Sequence, residues 1–248
     1  MTVVVGDPSA LPAHSIGDPA VLTFIILPLV VAAAFVGAVA IAWRRSGASA
    51  ADSRRAAFLS ACGAAAWMAA TGLAARSGVL RHWDWTPPPF LALPIGILAL
   101  GVAIAAGPIG RRFAAHLPLW WLVASQSFRL PLELAMHALS GRGIMPVHMS
   151  YSGRNLDIVT GATAVIVAIL FARGYAGRRL VLAWNVLGLG LLVNVVTVAI
   201  LSTPRFAAFG PDRLNVFVTY APFVWLPAVL VLAALTGHLV IFRALRRE

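Results

Sequence analysis

The sequence predicts an all-α membrane protein, folded as a single bundle of seven transmembrane helices. Three observations predict this fold class. The 248 residues are 60% hydrophobic and only 11% charged, whereas soluble domains are about half apolar and a quarter charged. The mean hydropathy is +0.89. Long apolar stretches also alternate with short segments that carry arginine, which is typical of a chain that crosses a membrane repeatedly.

Each predicted helix corresponds to an apolar stretch of roughly the 20 residues that a membrane crossing needs. The stretches cover residues 20–43, 56–75, 89–110, 113–139, 157–172, 180–202 and 221–242. Residues 1–19 are expected to form a short tail and residues 20–248 one domain. The first stretch is too long for a cleavable signal peptide, and no positive charge precedes it. The second is rich in Ala and predicts a helix packed inside the bundle.

The arginines predict the orientation of the bundle. All 19 basic residues are Arg, and one of them, Arg129, lies within a predicted span. Cytoplasmic loops are usually the richer in basic residues. Twelve arginines fall on one side, at positions 44, 45, 54, 55, 111, 112, 173, 178, 179, 243, 246 and 247, against six on the other. The C-terminus is therefore expected in the cytoplasm and the tail outside. This distribution accounts for the net charge of +11 without a nucleic-acid partner.

The composition also excludes several kinds of site. The chain has no Lys, so it can form neither a retinal nor a pyridoxal Schiff base and has no phosphate-binding P-loop. Its single cysteine, Cys62, excludes an internal disulfide, a thiolate iron–sulfur site and a CxxCH haem attachment. No HExxH zinc motif and no GxSxG nucleophile motif is present, so no metal site is expected. Whether the protein is an enzyme stays open.

The fourth predicted span carries the candidate site. Gln126, Arg129, Glu133 and His137 fall within roughly 80° of one another on a helix. A charge inside a span costs about 2.5–3.5 kcal/mol on insertion scales, and such residues are functional candidates by default. Two interpretations remain open. Arg129 and Glu133 form a buried pair that holds the bundle together, or Glu133 is a proton carrier, general acid or ligand-binding carboxylate that Arg129 tunes.

Residues of other segments are expected to join this site from the outer side. Asn155 and Asp157 enter the membrane near the level of His137, although Asp157 also suits the first turn of its helix. Asn194 lies mid-way along the sixth span, where a buried Asn usually ties helices together. Tyr220 and Trp225 lie at the outer end of the seventh span. With the fourth span, these residues would line a pocket that opens outward.

A second polar level, nearer the cytoplasm, gives an alternative interpretation. His116 and His238 lie on different predicted spans at similar depth, and two histidines on separate helices could ligate haem. A lone histidine near the membrane interface is nevertheless more often a structural, hydrogen-bonded residue. The cofactor, if any, is not predicted.

Several short motifs occur in order along the chain: FRxxxE at 128–133, GRNxD at 153–157, WN at 184–185, WLP at 225–227, and His238. Together they resemble a family of bacterial seven-helix inner-membrane proteins whose activity is uncharacterised, from about residue 85 to the C-terminus. The resemblance implies the shared fold and a bacterial inner-membrane location. The positions that match are Arg129, Glu133, Asn155, Asp157, Asn185 and His238. Seven-helix rhodopsins are excluded, because the last span has no Lys for retinal.

The function expected from these residues is binding or transport of a small amphiphilic or lipid-soluble ligand, with proton exchange at Glu133. Membrane lipids are the expected surroundings and partners. A membrane-embedded enzyme that acts on a lipidic substrate, with Glu133 as general acid or base and Arg129 beside it, is the first alternative. A haem- or metal-binding redox protein is the second. The sequence predicts no oligomeric state.

Overall fold

The computed structural model describes residues 11–247, and within that range every regular element is helical. This confirms the all-α prediction. Of the predicted tail, residues 1–10 lie outside the described residues. The α-helices are α1 (Pro19–Arg45), α2 (Ala50–Ser77), α3 (Ala92–Ala106), α4 (Pro108–His116), α5 (Leu119–Ala124), α6 (Arg129–Gly141), α7 (Ile158–Ala172), α8 (Arg178–Leu201) and α9 (Leu232–Leu245).

Five helical stretches are long and apolar enough to cross a membrane, which makes the chain a helical membrane protein. They are Pro19–Arg45, Ala50–Ser77, Pro89–Ala106, Arg178–Leu201 and Leu226–Leu245. Two of them combine elements, since a 3-10 turn precedes α3 and the π-helical segment Leu226–Val231 precedes α9. The shorter apolar helix α7 corresponds to the predicted span 157–172.

The remaining predicted span, over 113–139, is wrong as one continuous helix. Helix α4 ends at His116, and Leu117 is extended, with φ −97° and ψ 140°. The reason is Pro118, because the residue before a proline is driven out of the helical region. Beyond the break, α5, a 3-10 turn (Ser125–Phe128) and α6 follow one another, and the residues at their junctions keep helical dihedral angles. We call the resulting unit, Leu119–Gly141, the jointed helix.

Helix α2 lies at the edge of the bundle, contrary to the prediction that it packs inside. Only 11% of its most apolar window is buried, and its main neighbour is α1. Its small side chains do allow close packing, but along a single partner. Two tryptophans connect its C-terminal half to the last span: Trp67 Nε1 donates to the carbonyl of Ala228 at 2.7 Å, and Trp225 Nε1 donates to that of Met68 at 3.0 Å.

The core consists of two apolar layers stacked along the helix axes. On α9, Ala234 belongs to the first layer and Ile241 to the second. On α8, Leu192 belongs to the first and Trp184 to the second. The residues between these positions on the same helices include polar side chains that are fully buried. The fold therefore places a polar level between two apolar ones.

The connection between α6 and α7 is held in place by His148. Its Nε2 lies 2.7 Å from the Ser202 hydroxyl, which itself donates to the backbone of α8. Because that hydroxyl proton is used, the ring nitrogen is the donor of the shared bond. The ring packs on Phe209, with centroids 4.8 Å apart. Burial, and then the positive charges of Arg213 and Arg154, lower the pKa of His148 below its usual 6.5, so the loop anchor is a neutral imidazole near pH 7.

Candidate functional site

A cluster of buried polar side chains begins between the two apolar layers and extends into the first. Each is at most 4% exposed, a degree of burial that is rare for polar side chains and expensive without partners. We call this set the polar cluster: Gln126, Arg129, Glu133, Asn155, Asp157, Thr160, Asn185 and His238. It draws on the jointed helix, the loop that follows, α7, α8 and α9. In this conformation the cluster is closed to solvent.

Arg129 is the centre of the cluster and is 1% exposed. Its Nη1 pairs with Oδ1 of Asp157 at 2.9 Å. The partner expected from the sequence was Glu133, one turn further along the same helix, and that expectation of an Arg129–Glu133 pair is corrected. The other two guanidinium nitrogens, Nε and Nη2, have no hydrogen-bond partner. Arg129 is thus neutralised on one side and carries unused donors on the other.

Glu133 is held by an amide instead of a cation. The Nδ2 group of Asn155 lies 2.9 and 2.8 Å from the two carboxylate oxygens and also donates to the carbonyl of Met149 at 3.0 Å. The Oδ1 atom of Asn155 accepts from the backbone N–H of Asp157 at 3.0 Å. Asn155 therefore links both carboxyl-bearing residues and fixes the loop over them. A single side chain sets the spacing of this part of the cluster.

The close approach of α7 to α6 brings Asp157 to Arg129. A Cβ on Gly161 would lie 2.9 Å from the carbonyl carbon of Arg129 and closer still to the backbone nitrogen of Leu130. Only a glycine fits such a contact with backbone. Asp157 occupies the N-cap position of α7, yet its side chain makes no capping hydrogen bond. Its carboxylate pairs across to α6 instead of serving its own helix.

Helices α8 and α9 close the other end of the cluster through a reciprocal pair. His238 Nδ1 donates to Asn185 Oδ1 at 2.7 Å, and Asn185 Nδ2 donates to the His238 carbonyl at 3.1 Å. The His238 Nε2 atom and the Gln126 Oε1 atom are buried without partners. The Gln126 amide lies directly against the backbone of Gly237. Two buried acceptors without partners, one on the jointed helix and one on α9, therefore belong to this end of the cluster.

The structure does not bring four of the predicted pocket residues into the cluster. His137 is exposed and stacks on Tyr151, outside the cluster. Asn194 is also exposed and donates to the Arg154 carbonyl at 2.8 Å. Tyr220 lies beneath the Arg81 guanidinium at 4.3 Å from the ring centroid, and Trp225 is directed to α2. His137 lies on α6 one turn beyond Glu133, at an exposed position, so a shared helix face does not bring it into the cluster.

The two histidines considered as haem ligands occupy different environments. His116 ends α4, is half-buried, and its carbonyl accepts from Arg45 Nη1 at 3.3 Å. The His238 ring is fully buried against α8, where a Cβ on Gly188 would lie 2.7 Å from its Cε1 atom. The haem interpretation stays a prediction. Across residues 11–247, no three His, Cys, Asp or Glu side chains converge closely enough to hold a metal ion.

Several members of the site were not anticipated. Thr160 and the small residues Gly161, Gly188 and Gly237 allow the polar helices to approach one another. A signal for them exists, since each glycine lies in the same helical turn as a buried polar residue. In a span made of apolar residues, that pairing indicates a tight polar contact. The Asp157–Arg129 partnership has no local sequence signal, because it depends on how α7 sits on α6.

Comparison with protein-family models, with curated proteins and with solved structures gives no match for this chain. The polar cluster offers guanidinium donors without partners, two buried acceptors and a carboxyl group held by an amide. Such a set suits recognition of an oxygen-bearing, anionic or carbonyl group at a buried site.

Proposed function

We propose that the chain crosses a bacterial inner membrane seven times, with its N-terminus outside. The five long apolar stretches and α7 supply six crossings. The jointed helix supplies the seventh, since its length at about 1.5 Å per residue matches the roughly 30 Å hydrocarbon core. Helix α4, which carries Arg111 and Arg112, would then lie along the cytoplasmic interface. The unequal arginine count of the two sides supports this orientation.

We further propose that the polar cluster binds a small amphiphilic or lipid-soluble ligand and carries or transports it. One observation carries the proposal: Arg129 is 1% exposed, yet its Nε and Nη2 atoms have no partner. A structural arginine buried to this extent would have its donors satisfied by the protein, because each unmade hydrogen bond costs about 1–3 kcal/mol. A ligand oxygen that accepts from these atoms removes that cost.

The remaining residues of the cluster each have a role in binding or in proton exchange. Asp157 keeps Arg129 charged, and Gln126 with His238 contributes polar atoms to the same side. Glu133 exchanges a proton when the ligand enters or leaves, since Asn155 can donate to its oxygens in either protonation state. Access requires movement of the loop that carries Asn155, because that loop covers the cluster on the outer side.

The test is recovery of a bound molecule. The parent protein, Arg129→Lys and Arg142→Met are purified in one mild detergent, and solvent extracts are compared by mass spectrometry. Lys keeps a cation for Asp157 but lacks the Nε and Nη2 donors. Arg142→Met removes an exposed arginine from another ion pair. We expect a small molecule that accompanies the parent and Arg142→Met and is lost from Arg129→Lys. A molecule recovered equally from all three, or from none, contradicts ligand binding at Arg129.

A second variant separates loss of binding from loss of fold. In Glu133→Gln, the amide oxygen still accepts from Asn155, so we expect a folded protein, monodisperse on size-exclusion chromatography. If proton exchange accompanies binding, this variant keeps the molecule at every pH, whereas the parent releases it across a pH range. Equal pH dependence in the two proteins contradicts the role of Glu133.

A further inference from the structure

A second polar site lies among the arginines beside α4, away from the polar cluster. A cavity of about 360 Å³ is lined by Ser46, Arg111, Arg112, Ala115, His116 and Arg247. Ser46 directly follows α1, Arg247 lies just beyond α9, and the other four residues belong to α4. The cavity is open to the surface at the face of the bundle where most arginines lie.

Within residues 11–247, the lining of this cavity is basic and includes no carboxylate. Three arginines and one histidine are among its lining residues. Among residues 11–247 the ion pairs are those of Arg129 and Arg142, neither of which is part of this wall. Like charges at such spacing repel one another unless an anion or solvent compensates them. An anionic group placed among these arginines is favoured, because it is attracted to them and also offsets their mutual repulsion.

Two other arginines on the same face donate to carbonyls at helix ends, whereas Arg247 of the cavity wall makes one long hydrogen bond, from Nη1 to the Arg111 carbonyl at 3.5 Å. Arg243 Nη1 donates to the carbonyls of Ala105 and Ala106 at 2.9 and 2.8 Å, at the C-terminus of α3. Arg178 donates to the carbonyls of Ala244 and Leu245 at 3.2 and 2.7 Å, at the C-terminus of α9. Both arginines therefore have a structural role at a helix end. The number of arginines on this face does not by itself explain what the face does.

An apolar groove adjoins the cationic cavity. It has a volume of about 480 Å³ and shares Arg112 with the cavity. Trp43, Leu59 and Ile109 form apolar parts of its wall, although Asp52 also borders it. The Arg112 guanidinium lies 4.2 Å from the centre of the Trp43 ring, at the boundary between the two spaces. A molecule with a charged head in the cavity and an apolar tail in the groove fits these two adjoining spaces.

We propose that the cationic cavity binds a phosphate group, and that the headgroup of an anionic phospholipid is its source. Arginine and phosphate form short, charge-assisted hydrogen bonds, often two at a time. Basic pockets between membrane helices on the cytoplasmic side are known to take such headgroups. The acyl chains of the same lipid occupy the groove beside Trp43. The site is independent of the polar cluster and of the function proposed for it.

Titration calorimetry in detergent micelles tests the proposal with three probes: short-chain phosphatidylglycerol, phosphatidylcholine of the same chain length, and inorganic phosphate. The variant Arg111→Ala/Arg247→Ala removes two of the cations. Arg173→Ala, an exposed arginine of the same face that does not line the cavity, is the matched control. We expect phosphatidylglycerol to bind the parent, with affinity lowered about tenfold or more in the double variant and within about twofold in the control.

Each outcome of the titrations either supports or overturns phosphate binding in the cavity. Binding of phosphatidylglycerol without inorganic phosphate identifies the lipid as the source, and equal binding of both supports phosphate recognition with a soluble source. Equal affinity of phosphatidylcholine and phosphatidylglycerol, or equal loss in the Arg173 control, overturns the proposal. If the double variant does not fold, Arg247→Ala alone is used, since this exposed residue lies beyond the last turn of α9. An unchanged affinity in that variant also counts against the site.

Discussion

Two arginines with aspartate partners allow a direct measure of what burial does to an ion pair. Arg129 pairs with Asp157 at 2.9 Å with 1% of its side chain exposed, and Arg142 pairs with Asp18 at 2.6 Å with 45% exposed. The same substitution, Arg→Met, is made at both positions. It removes the cation but keeps much of the side-chain volume, so packing changes little in either case.

The expected costs differ because the partners left behind differ. Removing Arg129 strands Asp157 and Glu133 as buried carboxyl groups without a cation, and breaking a buried pair costs about 3–5 kcal/mol. Removing Arg142 leaves Asp18 in contact with solvent, still capping α1 through the N–H of Ala20 at 2.8 Å. Exposed pairs of this kind contribute about 0.2–1 kcal/mol.

The assay is reversible unfolding of the two variants and the parent in mixed micelles with increasing dodecyl sulfate. We expect a loss of stability several times larger for Arg129→Met than for Arg142→Met. Arg129→Lys, which keeps a cation beside Asp157, should recover most of the difference. Equal destabilisation by Arg129→Met and Arg142→Met, or a stable Arg129→Met, would refute the reasoning, since the guanidinium would then not neutralise the buried carboxyl groups.

Three further predictions use unfolding in the same micelles. Gly161→Ala places a methyl group against the backbone of α6, so we expect a loss of about 1–3 kcal/mol; an unchanged midpoint would mean that the helices are further apart. The lowered pKa of His148 means that the unfolded chain takes up the proton first, so stability present above about pH 6.5 should fall as the pH decreases below it. His148→Gln, which can still donate to Ser202, should weaken that dependence; an identical pH profile would exclude this histidine. Trp67→Phe removes the donor to the Ala228 carbonyl and should cost about 1–2 kcal/mol, whereas a neutral effect would argue against that contact between α2 and the last span.

Hydrophobic patterning predicted most helices because a membrane span needs only length and apolarity. It failed at Pro118, where the apolar pattern continues through a break in the backbone. The dihedral preference of the residue before proline is a local signal for such a break, but apolarity masks it. The Ala-rich composition of α2 led to the prediction that this helix packs inside the bundle. Small side chains permit close packing, but they do not determine how many neighbouring helices there are.

The sequence predicted which residues belong to the candidate site better than it predicted which of them are in contact. Arg129 and Glu133 stand out because charges are rare in spans. Helical spacing suggested that they pair with each other, whereas the cation is taken by Asp157, a residue 28 positions away along the chain. That contact depends on the absence of a side chain at Gly161. His137 and Asn194 were predicted at a depth in the membrane similar to that of the site. Depth does not determine the direction in which a side chain points, and both residues lie outside the cluster.

Binding of a ligand by the unused donors of Arg129 is best tested with a density map of the purified protein in lipid nanodiscs. We expect non-protein density with a polar atom within hydrogen-bond distance of Nε or Nη2, bordered by Gln126 and His238. A map in which both nitrogens donate to protein oxygens, with the surrounding side chains in contact and no additional density, would contradict the claim and make the polar cluster a structural element of the bundle.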